Sequence, residues 1–88
     1  MYTWTMTVDT SGEALVAKTR CTALLVGESG QTGTAAWTYQ TTPGADAITV
    51  PAGALRTFTG VYQPGATVTT LKAVSGSMTF AIQETDAE

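Results

Sequence analysis

The chain has 88 residues, a net charge of −3 and a sequence pI near 4.6, enough for one domain and without the basic stripe of a nucleic-acid binder. Hydrophobic residues make up 43% and charged residues only 12%, which argues against intrinsic disorder, yet no segment nears the roughly 18 consecutive apolar residues of a membrane span. Histidine and asparagine are absent and cysteine occurs once, which excludes Ser-His-Asp and Cys-His catalysis, leaves a zinc site without its usual ligands and rules out an internal disulfide.

Nineteen of the residues are threonine, and most alternate with apolar side chains. Tyr2, Trp4, Met6 and Val8 point one way and Thr3, Thr5 and Thr7 the other, the period-two pattern of a half-buried strand. Threonine's branched Cβ suits a pleated surface. Met1–Val8 has neither the basic nor the apolar region of a signal peptide, so the chain is expected to be made and kept in the cytosol unless released by lysis. Free chain ends usually fray unless tied down. Aromatic anchors at Tyr2 and Trp4 therefore mark residues 1–8 as a docking strand or arm, seated on its own sheet or, as the less favoured alternative, on a partner by strand addition.

Asp9–Glu13 reads as a turn. Ala14–Ala17 and Cys21–Val26 read as one broken strand or two short ones, with Leu24-Leu25-Val26 buried on both faces or crossing the core. Cys21 itself reads as a small core hydrophobe rather than a reactive thiol. Gly27–Gly33 is a glycine-rich loop. It lacks the lysine of a P-loop and no helix follows it, so a phosphate cradle is not expected. Trp37 and Tyr39 share a face of the alternating segment 35–41. They are expected in the core, the alternative being a sugar platform.

Thr42-Pro43-Gly44-Ala45-Asp46 is a proline–glycine turn. Ile48-Thr49-Val50 is a short strand, Pro51-Ala52-Gly53-Ala54 a corner, and Leu55–Thr59 a strand carrying Phe58. After the turn at Gln63-Pro64-Gly65, Thr67–Val74 and Met78–Gln83 flank Ser75-Gly76 and read as a β-hairpin. Residues 84–88 carry three acids and are expected to form a frayed tail. No stretch is long enough for a stable helix. The fold class is therefore all-β: residues 1–88 form one small antiparallel sandwich or barrel of seven or eight short strands, with Trp37, Phe58, Leu71, Phe80 and Ile82 in its core.

Few residues remain for chemistry. All seven acids fall in expected turns or the tail, where acids serve solubility rather than the cleft chemistry of a carboxylate pair. No enzymatic activity, cofactor or metal is expected. Of the four basic residues, Lys18 and Arg20 share a parity, and Arg56 and Lys72 lie on separate strands. Edge protection is their first reading, and salt-bridging to an acidic partner the second. The candidate partner-binding residues are Tyr2, Trp4, Met6 and Arg56.

The segment Ile48-Thr49-Val50-Pro51-Ala52-Gly53 … Phe58 … Gln63-Pro64-Gly65 … Lys72-Ala73-Val74-Ser75-Gly76-Ser77-Met78-Thr79-Phe80 resembles the small β-sandwich accessory proteins of tailed-bacteriophage virions. It shares their aliphatic-Pro-Ala-Gly corner, Pro-Gly turn and Ala-x-Ser-Gly connection into a last alternating strand. The resemblance covers residues 48–82. It implies a head-decoration, or cement, protein on the capsid exterior, bound to the major capsid protein or another virion protein and commonly trimeric at local threefold positions. A fibre- or spike-type receptor or glycan-binding module is the alternative, and a tail or connector component the third. None of these implies a nucleic-acid or membrane partner.

Overall fold

A computed structural model of the chain describes residues 1–28, 36–42 and 44–87. Among them are eight strands and no helix: β1 (Tyr2–Asp9), β2 (Glu13–Val16), β3 (Cys21–Glu28), β4 (Trp37–Gln40), β5 (Ile48–Val50), β6 (Arg56–Tyr62), β7 (Thr67–Ala73) and β8 (Ser77–Asp86). They form two four-stranded sheets, ordered β1-β8-β3-β6 and β2-β7-β4-β5.

The pairing is nested. β1 pairs with β8, β2 with β7, β3 with β6 and β4 with β5, all antiparallel. The chain thus runs as one long hairpin folded back between β4 and β5. It is then rolled so that β3 meets β8 and β4 meets β7. This is the strand order of a jelly roll, in which two packed sheets share the work of burying one core.

Alternation explains most strands. In β8, Met78, Phe80 and Ile82 are buried, and in β7 Thr69, Leu71 and Ala73 are buried. All five expected core residues are inside. Aromatic edges join the sheets: Trp37 of β4 meets Phe80 of β8 at 5.0 Å and 74°, and Tyr39 meets Phe58 of β6 at 5.1 Å and 89°. Edge-to-face contacts of this kind add to the burial of the rings themselves. Turn chemistry agrees as well. Ala66 N–H donates to the Gln63 carbonyl across Pro64-Gly65, and Gly65 has φ +90°, which favours glycine.

Several expectations change. β7 and β8 are not a hairpin: they lie in different sheets, so the Ser75-Gly76 turn crosses the sandwich. A two-residue turn and two alternating strands suit either geometry. What distinguishes them is the partner of each strand, which local periodicity does not encode. Among the described strands, only β4 and β5 are sequence neighbours within one sheet.

Of the two readings of Ala14–Ala17 and Cys21–Val26 the second holds: they form two strands, β2 and β3, and these lie in opposite sheets. Gly27 and Glu28 belong to β3, while the rest of the expected glycine loop lies outside the described residues. Residues 84–87 are not a frayed tail: β8 runs on to Asp86, Glu84 is fully buried within it, and the Ala87 N–H donates to the Arg20 carbonyl. Residues 1–8 follow the favoured of their two readings, a strand seated on the chain's own sheet. Tyr2–Asp9 pairs with β8 along its whole length, from Tyr2 opposite Glu84 to Asp9 opposite Ser77.

Candidate interaction surface

The strand order places the four candidate residues on different parts of the molecule. Tyr2, Trp4 and Met6 lie on β1, at one edge of the first sheet, and Arg56 starts β6 at the opposite edge, with β8 and β3 between them. The structure therefore brings the first three together and leaves Arg56 apart.

On the β1 side, Trp4 and Met6 are half-buried against the core, and Tyr2 is 42% exposed. Trp4 is fixed from two directions. Its indole N–H donates to a carboxylate oxygen of Glu84, and the Lys18 ammonium sits 4.6 Å from its ring centroid. That distance suits a cation–π contact. A groove of about 420 Å³ runs between the β1 and β2 edges, lined by Trp4, Met6, Ala14 and Val16 with Glu13 and Lys18.

Glu84 is the residue the sequence patterning missed. It has 0% exposure, and its carboxylate accepts from the backbone N–H groups of Lys18 and Thr19 and from the Thr19 hydroxyl, besides Trp4. Burial pushes its carboxyl up, but these donors, with Thr19 foremost, outweigh burial and hold it below its ordinary value of 4.5. A buried carboxylate needs such donors, since leaving its charge unmatched is costly. The side chain pins β1 and the β2–β3 connection onto β8. The signal was present in the sequence, because Glu84 continues the inward parity of Met78, Phe80 and Ile82.

Nearby Cys21 is buried. Its thiol is pushed up first by burial and then by the Glu84 charge, so the geometry matches the core role expected of it. Replacing Trp4 with phenylalanine keeps an aromatic ring, though a smaller one, and removes one donor to Glu84. We expect a loss of about 1–3 kcal/mol in urea unfolding. A loss below about 0.5 kcal/mol, the range of a neutral surface change, would show that the pin does not need the indole.

The second surface lies at the β5–β6 corner. Ile48 is 49% and Leu55 70% exposed, two of several large apolar residues open to solvent, Val61 and Val74 among the others. Leu55 lies over Gly27 of β3: a Cβ built on that glycine would sit 2.4 Å from the Leu55 methyl. Glycine is what lets Leu55 settle on the outer face of the first sheet. Leu55 borders a shallow groove of about 380 Å³ across that face, floored by Leu25, Gly27 and Ala81 and reaching Thr3 and Thr5. Arg56 is exposed, with its guanidinium carbon 5.4 Å from the Tyr39 ring centroid, so it covers a core aromatic as well as facing solvent.

Trp37 and Tyr39 are 0% and 1% exposed, which removes the sugar-platform alternative for that pair, because neither ring presents a face to solvent. The acids also sit differently from expectation. Glu13, Glu28, Glu84 and Asp86 are within strands, and Asp9 ends β1. Lys18 and Arg20 lie in the β2–β3 connection rather than on a strand, and Lys72 is on the central strand β7. Of the basic residues expected to protect edges, Arg56 is placed on an edge strand. Among the described residues no cluster of three potential metal ligands occurs, and no helix is long and apolar enough to cross a membrane.

Comparison with protein-family models, curated proteins and solved structures finds no significant match to this chain.

Proposed function

We propose that this chain is a non-enzymatic structural protein of a tailed-phage virion, which decorates and stabilises the capsid by binding capsomers on its exterior. The observation that carries the reading is the exposed apolar corner of Ile48 and Leu55 beside Arg56, on the far side of the sheet from the β1 edge. A subunit that bridges others needs contact surfaces on more than one side. Large exposed aliphatic residues beside a charge suit a protein contact with an apolar centre and a polar rim. The corner also falls within the segment that resembles head-decoration proteins. Jelly rolls recur among viral capsid and lectin domains, a likeness of fold and not of function.

In this reading the corner of each subunit faces the major capsid protein. A fibre or spike module loses its main support with Trp37 and Tyr39 in the core. A tail or connector component would use the same surfaces and differs in copy number.

The test is co-sedimentation of the purified chain with capsids of the phage that encodes it. Leu55→Asp puts a charge at an exposed position. It is expected to leave the thermal midpoint close to that of the parent chain and to abolish pelleting with capsids. Undiminished binding by a folded Leu55→Asp chain would remove the corner from the attachment surface. If the parent chain itself does not pellet, the capsid reading fails.

A further inference from the structure

We infer that the outer edge of β1 is a self-association surface, closed by β1 of a second copy of this chain in antiparallel, twofold-related pairing. The four sheet edges are not alike. β5 has three residues and β2 four, and β2 carries Glu13 and a register shift between Leu15 and Val16. β6 begins with Arg56, and its pairing with β3 shifts register between Cys21 and Ala23. Short strands, charges and bulges are the devices that stop an edge from recruiting another strand. β1 has none of them: it is eight residues long, uncharged until Asp9, free of proline and glycine, and regular along its whole pairing with β8. Its other side has no strand partner among the described residues.

The edge is complementary to itself. Pairing must keep inward residues opposite inward ones, because a one-residue slip exchanges the faces. A twofold axis at Thr5 meets that condition. It sets Thr3 against Thr7 of the second copy and Thr5 against its own equivalent on the outer face. It sets Trp4 against Met6 on the inner face, where a sulfur–aromatic contact is favourable. Threonine pairs of this kind support antiparallel strands.

Charge agrees with the same axis. The groove beside β1 has Glu13 and Lys18 among its lining residues. They lie before and after the Ala14–Val16 stretch, so a twofold partner brings Lys18 toward Glu13 and Glu13 toward Lys18. The two copies would share one eight-stranded sheet, and an exposed edge would be lost. This contact does not depend on the capsid reading and leaves the β5–β6 corner free for it.

Sedimentation of the full chain tests the proposal. The parent chain is expected to be a dimer. Thr5 is exposed and points outward, so Thr5→Lys and Thr5→Glu should each fold but place like charges together at the axis and sediment as monomers. Mixing the two should restore a dimer. Thr5→Cys offers a second readout that needs no charge. Residues directly opposite in antiparallel strands fall within disulfide range, so this chain should crosslink to itself with oxidised glutathione, and Thr7→Cys should not. A monomeric or trimeric parent chain would overturn the proposal. So would a dimer of undiminished stability in folded Thr5→Lys, or crosslinking of Thr7→Cys in place of Thr5→Cys.

Discussion

Replacing Phe80 with alanine is expected to lower the unfolding free energy by about 3–5 kcal/mol. Phe80 is fully buried on β8, which lies between β1 and β3, and its ring meets the edge of Trp37 across the sandwich. Truncation removes the contact that joins the sheets at this point and leaves a cavity in a core with few large residues to collapse into it. A small domain has a total stability of only about 5–15 kcal/mol, so the variant should sit close to unfolding at room temperature. Urea titration followed by tryptophan fluorescence measures the loss. A loss below about 1 kcal/mol would mean that the sheets do not meet through this ring.

Acid should weaken the fold through Glu84. Its carboxyl is held below the ordinary 4.5 in the folded protein, so it contributes its full stabilisation above that pH. The contribution is lost as pH falls through the lowered folded value. The parent chain should therefore lose thermal stability on acidification below about pH 4.5, in a window set by this shift. Asp9, also lowered by the Ser11 hydroxyl and backbone, is exposed and adds little.

Glu84→Gln keeps the volume but turns an amide N–H₂ toward groups that are themselves donors. It should cost roughly 1–3 kcal/mol at neutral pH and should flatten the acid limb of the stability curve. Glu84→Ala leaves the Trp4, Lys18 and Thr19 donors without their acceptor and should cost more than Glu84→Gln. An unchanged acid limb in Glu84→Gln would show that another group governs acid unfolding.

Much of this fold was legible from alternation and turn residues. Tyr2–Val8, Ile48–Val50 and Met78–Ile82 read as strands because apolar and polar positions alternate, and the Pro64-Gly65 turn sits where glycine is needed. Strand partners were not legible. Ser75-Gly76 reads as a hairpin turn because the two strands beside it alternate, yet each finds its neighbours in a different sheet. That outcome depends on residues far apart in the chain, such as Trp4 opposite Ile82.

Glu84 was hidden for another reason. A carboxylate near the end of a chain is usually solvated, and its burial depends on donors from Trp4, Lys18 and Thr19 that only the folded chain brings together. The corner was half legible. Arg56 was singled out, but Leu55 and Ile48 read as ordinary strand residues, since their exposure follows from the fold, which puts Ile48 on the edge strand of the second sheet and Leu55 over Gly27 on the outer face of the first.

Quantitative mass spectrometry of purified virions of the encoding phage tests the functional account most directly. The account predicts this chain at a copy number comparable to that of the major capsid protein, lost from the particles when the Leu55→Asp chain replaces it. A handful of copies per particle would place the protein in a tail, connector or fibre, and its absence from intact virions would contradict a structural role in the capsid.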